Sequence, residues 1–166
     1  MKYLQLFILS TAIAFSCFAQ SKNNSDSLQK VIASSASYKE KINAYIALSY
    51  QLNFKDPLLA VTTANKGIQL AFANKDSLSI GKLIQYKGSA YNLNGNRDTA
   101  AVFYYIAAGI FERFKSDADL ADVYNDIARM NRKTKDLDRA LFYYDKAMEI
   151  YKRLNDEGGI DRKSVV

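Results

Sequence analysis

Small and bulky residues recur along this chain in a register of 40. Ala60, Ala100 and Ala140 line up, as do Ala64, Tyr104 and Tyr144, then Gly67, Ala107 and Ala147, then Leu70, Ile110 and Ile150. Within each unit the first three positions follow i, i+4, i+7, which stacks them along one helical face. A second seam lies twelve residues before the first, at Leu48, Gly88 and Ala128, preceded by Ile84 and Tyr124 in the second and third units. Two helices per unit follow. Polar breaks fall where this requires, at 53–57, 94–98 and 134–138 within units and at 74–77, 116–117 and 155–159 between them. Pro57 suits a first helical turn, Asp98 suits an N-cap, and the third break also offers an acidic cap. The predicted helices are 41–52, 57–73, 79–93, 98–114, 118–133 and 137–154. A short one at 26–32 would cover the exposed edge of the first pair.

A fixed period in this range marks stacked supersecondary units, so the expected fold is all-α, a superhelical array of antiparallel helix pairs. The units are 41–80, 81–120 and 121–160, after a polar leader at 20–40. Tyr124, Ile127, Ala128, Ala140, Tyr144 and Ala147 in the third unit, with Gly88, Tyr91, Ala100, Tyr104 and Ala107 in the second, carry a pattern that resembles the tetratricopeptide repeat family. Leu48 and Ala64 stand where the first unit would hold a small and an aromatic residue, and Asn131 replaces an aromatic. The step of 40 exceeds the family's usual 34 and overlaps the HEAT and armadillo range. The small-large-small spacing, matched twice, favours the tetratricopeptide assignment, with a longer second helix and linker absorbing the extra residues.

Catalytic chemistry finds no foothold. The chain has no histidine and one cysteine, Cys17, which leaves no imidazole for acid–base work or metal ligation. No catalytic residue, cofactor or metal is expected. Asp117, Asp119, Asp122 and Asp126 follow helical spacing and read as a solvated face or a helix-start bias, not a metal cage. Between Gln20 and Ile160, 20 Lys and Arg face 16 Asp and Glu, a surplus too small to point to nucleic acid. Phe103, Tyr104, Tyr143 and Tyr144 sit at packing spacing and read as core. The expected partner is a protein or peptide.

First helices of stacked pairs line the concave surface in the resembled family. That implies a polar groove made by Tyr45, Ser49, Gln85, Ser89, Asn92 and Asn125, with a basic end at Arg129, Arg132 and Lys133, fit for an extended peptide, an acidic one included. Ordinary solvation is the competing reading of the basic group. If Arg129 is simply a surface cation, Arg129→Ala should barely alter stability.

The ends set the expected context. A basic start at Lys2, an apolar run over 4–15 and a small-x-small exit at Cys17 and Ala19 form a signal peptide over 1–19, cleaved after Ala19, which predicts a periplasmic or secreted chain. Lipidation at Cys17 is the less favoured alternative. Asn23 heads a weak glycosylation motif. Residues 161–166 break the helical pattern and look like a translated sequencing-library adapter, so they read as a truncation artefact with the natural gene continuing past Ile160. Signal peptide, leader helix and repeats together resemble the periplasmic input region of bacterial sensor histidine kinases, which implies a recognition module whose effector and membrane segment lie downstream. The alternative is a stand-alone periplasmic structural or assembly protein.

Overall fold

The computed structural model describes residues 24–34 and 36–154, and the signal-peptide, lipidation, glycosylation and tail readings lie outside them. The described residues form seven helices: α1 (24–33), α2 (Tyr38–Leu52), α3 (Pro57–Ala73), α4 (Ser77–Leu93), α5 (Arg97–Arg113), α6 (Asp117–Lys133) and α7 (Leu137–Arg153). Consecutive helices pack antiparallel, and α4 also touches α2 and α6. The second helices α3, α5 and α7 stand farther from one another, so α2, α4 and α6 form the inner layer. No described helix is long and apolar enough to cross a membrane.

Local chemistry explains the even spacing. Helices α3 to α7 are each 17 residues long and α2 is 15, so the second helix is the longer one in the first pair, whereas both helices share the extra length in the other two. The N-caps are Asp56, Asp76, Asn96, Ser116 and Asp136, and all but Ser116 accept the backbone N–H three residues on. Asn96 takes the cap expected of Asp98, which sits in the first turn. Helix α2 starts three residues before its expected position, because Ser37 and Glu40 form a capping box. At the other end, Lys75, Gly95, Lys115 and Lys135 adopt positive φ. In each case the next residue's N–H returns to the helix, as from Asp76 to Ala71 and from Asn96 to Tyr91, which closes a Schellman turn.

The seam is buried as its pattern requires. Ala60, Ala100 and Ala140 are 1%, 0% and 3% exposed, and Tyr104 and Tyr144 are buried beside them. At Gly88 the helices approach closely, since a Cβ would lie 3.0 Å from the Tyr104 ring, tighter than ordinary contact. Leucine at Ala100 should overpack this seam and cost about 1–3 kcal/mol in urea unfolding. A cost below half of that would place Ala100 off the seam. Leu28 and Ile32 of α1 pack on Leu48, Leu52 and Ala60, and Ser25 donates to Gln51 at 3.1 Å.

Polar bridges tie α6 both to the neighbouring pair and to its own partner α7. Asp117 and Asp119 sit in the first turn of α6 as a helix-start bias requires, but the four carboxylates are not simply a solvated face. Asp119 holds Lys82 of α4, Asp126 accepts from Gln85, Asp122 accepts from Tyr151, and Asp117 accepts from Arg153. Asp76 makes the corresponding bridge to α2, accepting from the Tyr38 hydroxyl at 2.6 Å and from Lys39 at 3.3 Å. Burial would push its carboxyl up, but the Tyr38 hydroxyl, the Ser79 N–H and hydroxyl, and Lys39 together hold it at about 2. A depressed carboxyl stabilises the fold above its unfolded value of 3.8 and loses that contribution as pH falls towards about 2. Asp76→Asn should therefore be less stable than wild type at neutral pH, with the difference closing between about pH 4 and about pH 2. Urea midpoints of both proteins over that range measure this, and a constant difference would show that the charge of Asp76 does not carry the effect.

Candidate functional site

The inner layer carries two adjoining open cavities, of about 330 Å³ and 220 Å³, which share Tyr50, Tyr86, Asp126 and Arg129. One wall is aromatic. Tyr50 and Phe54, four apart at the end of α2, meet edge to face at 5.6 Å, and Tyr50 meets Tyr86 of α4 at 5.3 Å. These rings lie in the open groove, with Phe54 70% exposed. The opposite wall is the end of α6, where Arg129, Arg132 and Lys133 fall on one face at spacings of three and four. Side-chain amides supply the floor. The Oδ1 atoms of Asn53 and Asn92 line the larger cavity, are buried, and have no hydrogen-bond partner among the described residues. A buried acceptor left unpaired is costly, so these atoms are natural contacts for a donor on a guest or for water.

Beneath Arg129 lies an ionic knot. Asp126 is 8% exposed; it is held by Arg129 and by Gln85, whose Nε2 donates at 2.7 Å. Burial pushes the Asp126 carboxyl upward, and Arg129 and Gln85 offset only part of this. Burial acts on Arg129 in the opposite sense, but Asp126 keeps the guanidinium firmly charged. Arg129 is thus neutralised within the protein. Arg132 and Lys133 are exposed and form no ion pair among the described residues, which leaves them as the cations an anionic guest would meet. The arrangement can hold an apolar group on the rings, an anion at the α6 end and a polar backbone over the amides. Among the described residues no cluster of carboxylates is arranged to hold a metal ion.

The structure gathers Ser89, Asn92, Arg129, Arg132 and Lys133 around the larger cavity, and Gln85 and Asn125 around the smaller. Two expected groove residues do not belong there. Tyr45 packs against Ile42, Ala64 and Leu83, because Gly67 across the seam leaves room for it. Ser49 is completely buried, its hydroxyl unpartnered among the described residues. Tyr50, Asn53, Phe54, Tyr86, Tyr104 and Asp126 were absent from the expected set. The Tyr50–Phe54 spacing was the available signal for the rings, whereas the bond between Gln85 and Asp126 left none in the sequence.

Among solved structures, the chain is similar to the crystal structure of BtubC (BKLC) from P. vanneervenii, with a TM-score of 0.64 at 16% sequence identity, over 81% of this chain and 55% of that one. At this identity the likeness shows the fold alone, a helical-repeat array. The chain spans about half the length of that protein. No family model and no curated protein matches it.

Proposed function

We propose that the chain is an exported recognition scaffold of the tetratricopeptide type, binding an extended protein segment in the groove formed by α2, α4 and α6. The observation that carries this reading is the juxtaposition of the Tyr50, Phe54 and Tyr86 rings with the uncompensated Arg132 and Lys133 across one open cavity. Rigid aromatic faces and cations around unpaired amides suit a peptide with apolar and acidic side chains. The signal-peptide-like start supports export, and the resemblance to sensor-kinase input regions supports a place in signalling, with the effector in another segment. Fluorescence anisotropy with labelled acidic-aromatic peptides tests the groove. Exchanging both Arg132 and Lys133 for glutamate should weaken binding by about tenfold to a hundredfold, corresponding to about 1.4–3 kcal/mol. It should also reverse the preference for acidic over basic peptides. Binding that ignores both substitutions would remove the groove from the function.

A further inference from the structure

The repeat supplies its own control for judging surface residues. At equivalent outward places of the second helices, α3 carries Asn65, Lys66 and Gln69, and α7 carries Asp145, Lys146 and Glu149. Helix α5 carries Tyr105, Ile106 and Gly109. With Val102 they leave an open apolar face: Val102, Tyr105 and Ile106 are 56%, 45% and 44% exposed, and no charged residue occurs between Asp98 and Glu112. Gly109 is the most telling of these. A Cβ there would meet nothing within 4 Å, yet a helix-interior glycine costs up to about 1 kcal/mol relative to alanine. Nothing among the described residues calls for it. It lines a groove of about 460 Å³ between α5 and the start of α4, walled by Ile80, Ile106, Ile110 and Phe114.

We propose that this face of α5 is a two-fold interface between two copies of the chain, with the two α5 helices antiparallel. The outward residues form a palindrome: Asp98, Val102, Tyr105, Ile106, Gly109 and Arg113 are separated by steps of 4, 3, 1, 3 and 4. Turning a second α5 end over end about the midpoint of Tyr105 and Ile106 sets Asp98 against Arg113 of the second copy, Val102 against its Gly109, and Tyr105 against its Ile106. All three pairings are complementary. Opposite charges meet at both ends, a branched side chain enters the gap above a glycine, and an aromatic ring covers an aliphatic side chain at the centre. A parallel arrangement would oppose Asp98 to Asp98 and stack like on like. An isologous interface requires a patch that is its own complement, which is why a second copy fits better here than an unrelated partner. Asp98 and Arg113 form no ion pair among the described residues, so both are available for it. The face lies on the outer layer, and the inference is independent of peptide binding in the groove.

Sedimentation equilibrium of the full chain at about 100 μM, above dissociation constants of micromolar order, should give twice the chain mass of 18.7 kDa. Ile106→Lys copies the residue that α3 and α7 already carry at this place, so its circular dichroism and melting should match wild type. Its association should weaken about a hundredfold, because each of the two copies loses a central contact of about tenfold. Asp98→Arg or Arg113→Asp alone should weaken association about tenfold, and the two together should restore it. A monomer at this concentration would overturn the proposal, since the face would then serve another occupant or none. A dimer indifferent to Ile106→Lys would place the contact elsewhere. A double charge variant no better than the single ones would exclude the antiparallel register.

Discussion

Replacing Tyr104 with alanine is expected to lower the unfolding free energy by about 3–5 kcal/mol, the range for deleting a buried aromatic ring. Tyr104 is 2% exposed at the centre of the largest cluster, which joins α5 to α6 and α7. Its ring fills the space that Gly88 leaves on α4, so deletion opens a void shared by two neighbouring helix pairs. The hydroxyl donates to Ser89 at 3.2 Å, and burial pushes that phenol well above its ordinary range. Tyr104→Phe should cost only about 0.5–1.5 kcal/mol, which separates the hydrogen bond from the packing. Urea denaturation of both variants measures the difference. If the alanine variant lies within about 1 kcal/mol of wild type, the seam does not hold the array together.

Arg129→Ala should cost about 1.5–3 kcal/mol at neutral pH, the scale of a hydrogen bond to a charged group. The guanidinium's 57% side-chain exposure keeps the cost below that of a fully buried pair. The pairing removes the condition under which Arg129→Ala would barely alter stability, because losing the arginine leaves the Asp126 carboxylate buried with Gln85 as its remaining partner. The sign of the pH dependence follows. Asp126 is already raised above its ordinary value by burial, and loss of the arginine raises it further. The folded variant then binds the proton more tightly than the unfolded chain, so its stability recovers as pH falls through the folded value. Adding Asp126→Asn should flatten that recovery. Stability measured against pH for the single and double variants checks this, and a pH-independent loss in Arg129→Ala would show that the pair acts through packing.

The helix array was legible because its cause is local and periodic. Ala100, Tyr104 and Ala107 pack at spacings of four and three, and the same spacings recur one unit away, so sequence register and spatial register coincide. Turn geometry was half legible. Gly95 announces a left-handed residue, but Lys75, Lys115 and Lys135 hold the same conformation with a side chain that has no preference for it. The α2 start was missed because Ser37 and Glu40 lie upstream of the first repeated position. At the groove, Arg132 and Lys133 were readable as exposed cations on one face. Tyr45 was misplaced because repeat equivalence predicts a position and not its depth, and depth there depends on Gly67. Tyr50 and Tyr86 were overlooked because neither recurs in the 40-residue register, where their equivalents are Ala90 and Met130, and Ile46 and Asp126. The partners of Asp119 and Asp126 lie on α4, and counting spacings within α6 alone cannot reveal them.

The bridges between neighbouring pairs, Tyr38 to Asp76, Lys82 to Asp119 and Gln85 to Asp126, join residues 38, 37 and 41 positions apart. Each therefore closes a loop of about one repeat when the chain folds. The entropy lost in closing a loop grows only logarithmically with its length, about 0.6 kcal/mol for each doubling, so every such step meets nearly the same modest barrier. Folding can begin at any helix pair and spread to its neighbours by adding similar steps. Lengthening such an array by further units would leave the size of the next closure, and hence its speed, almost unchanged.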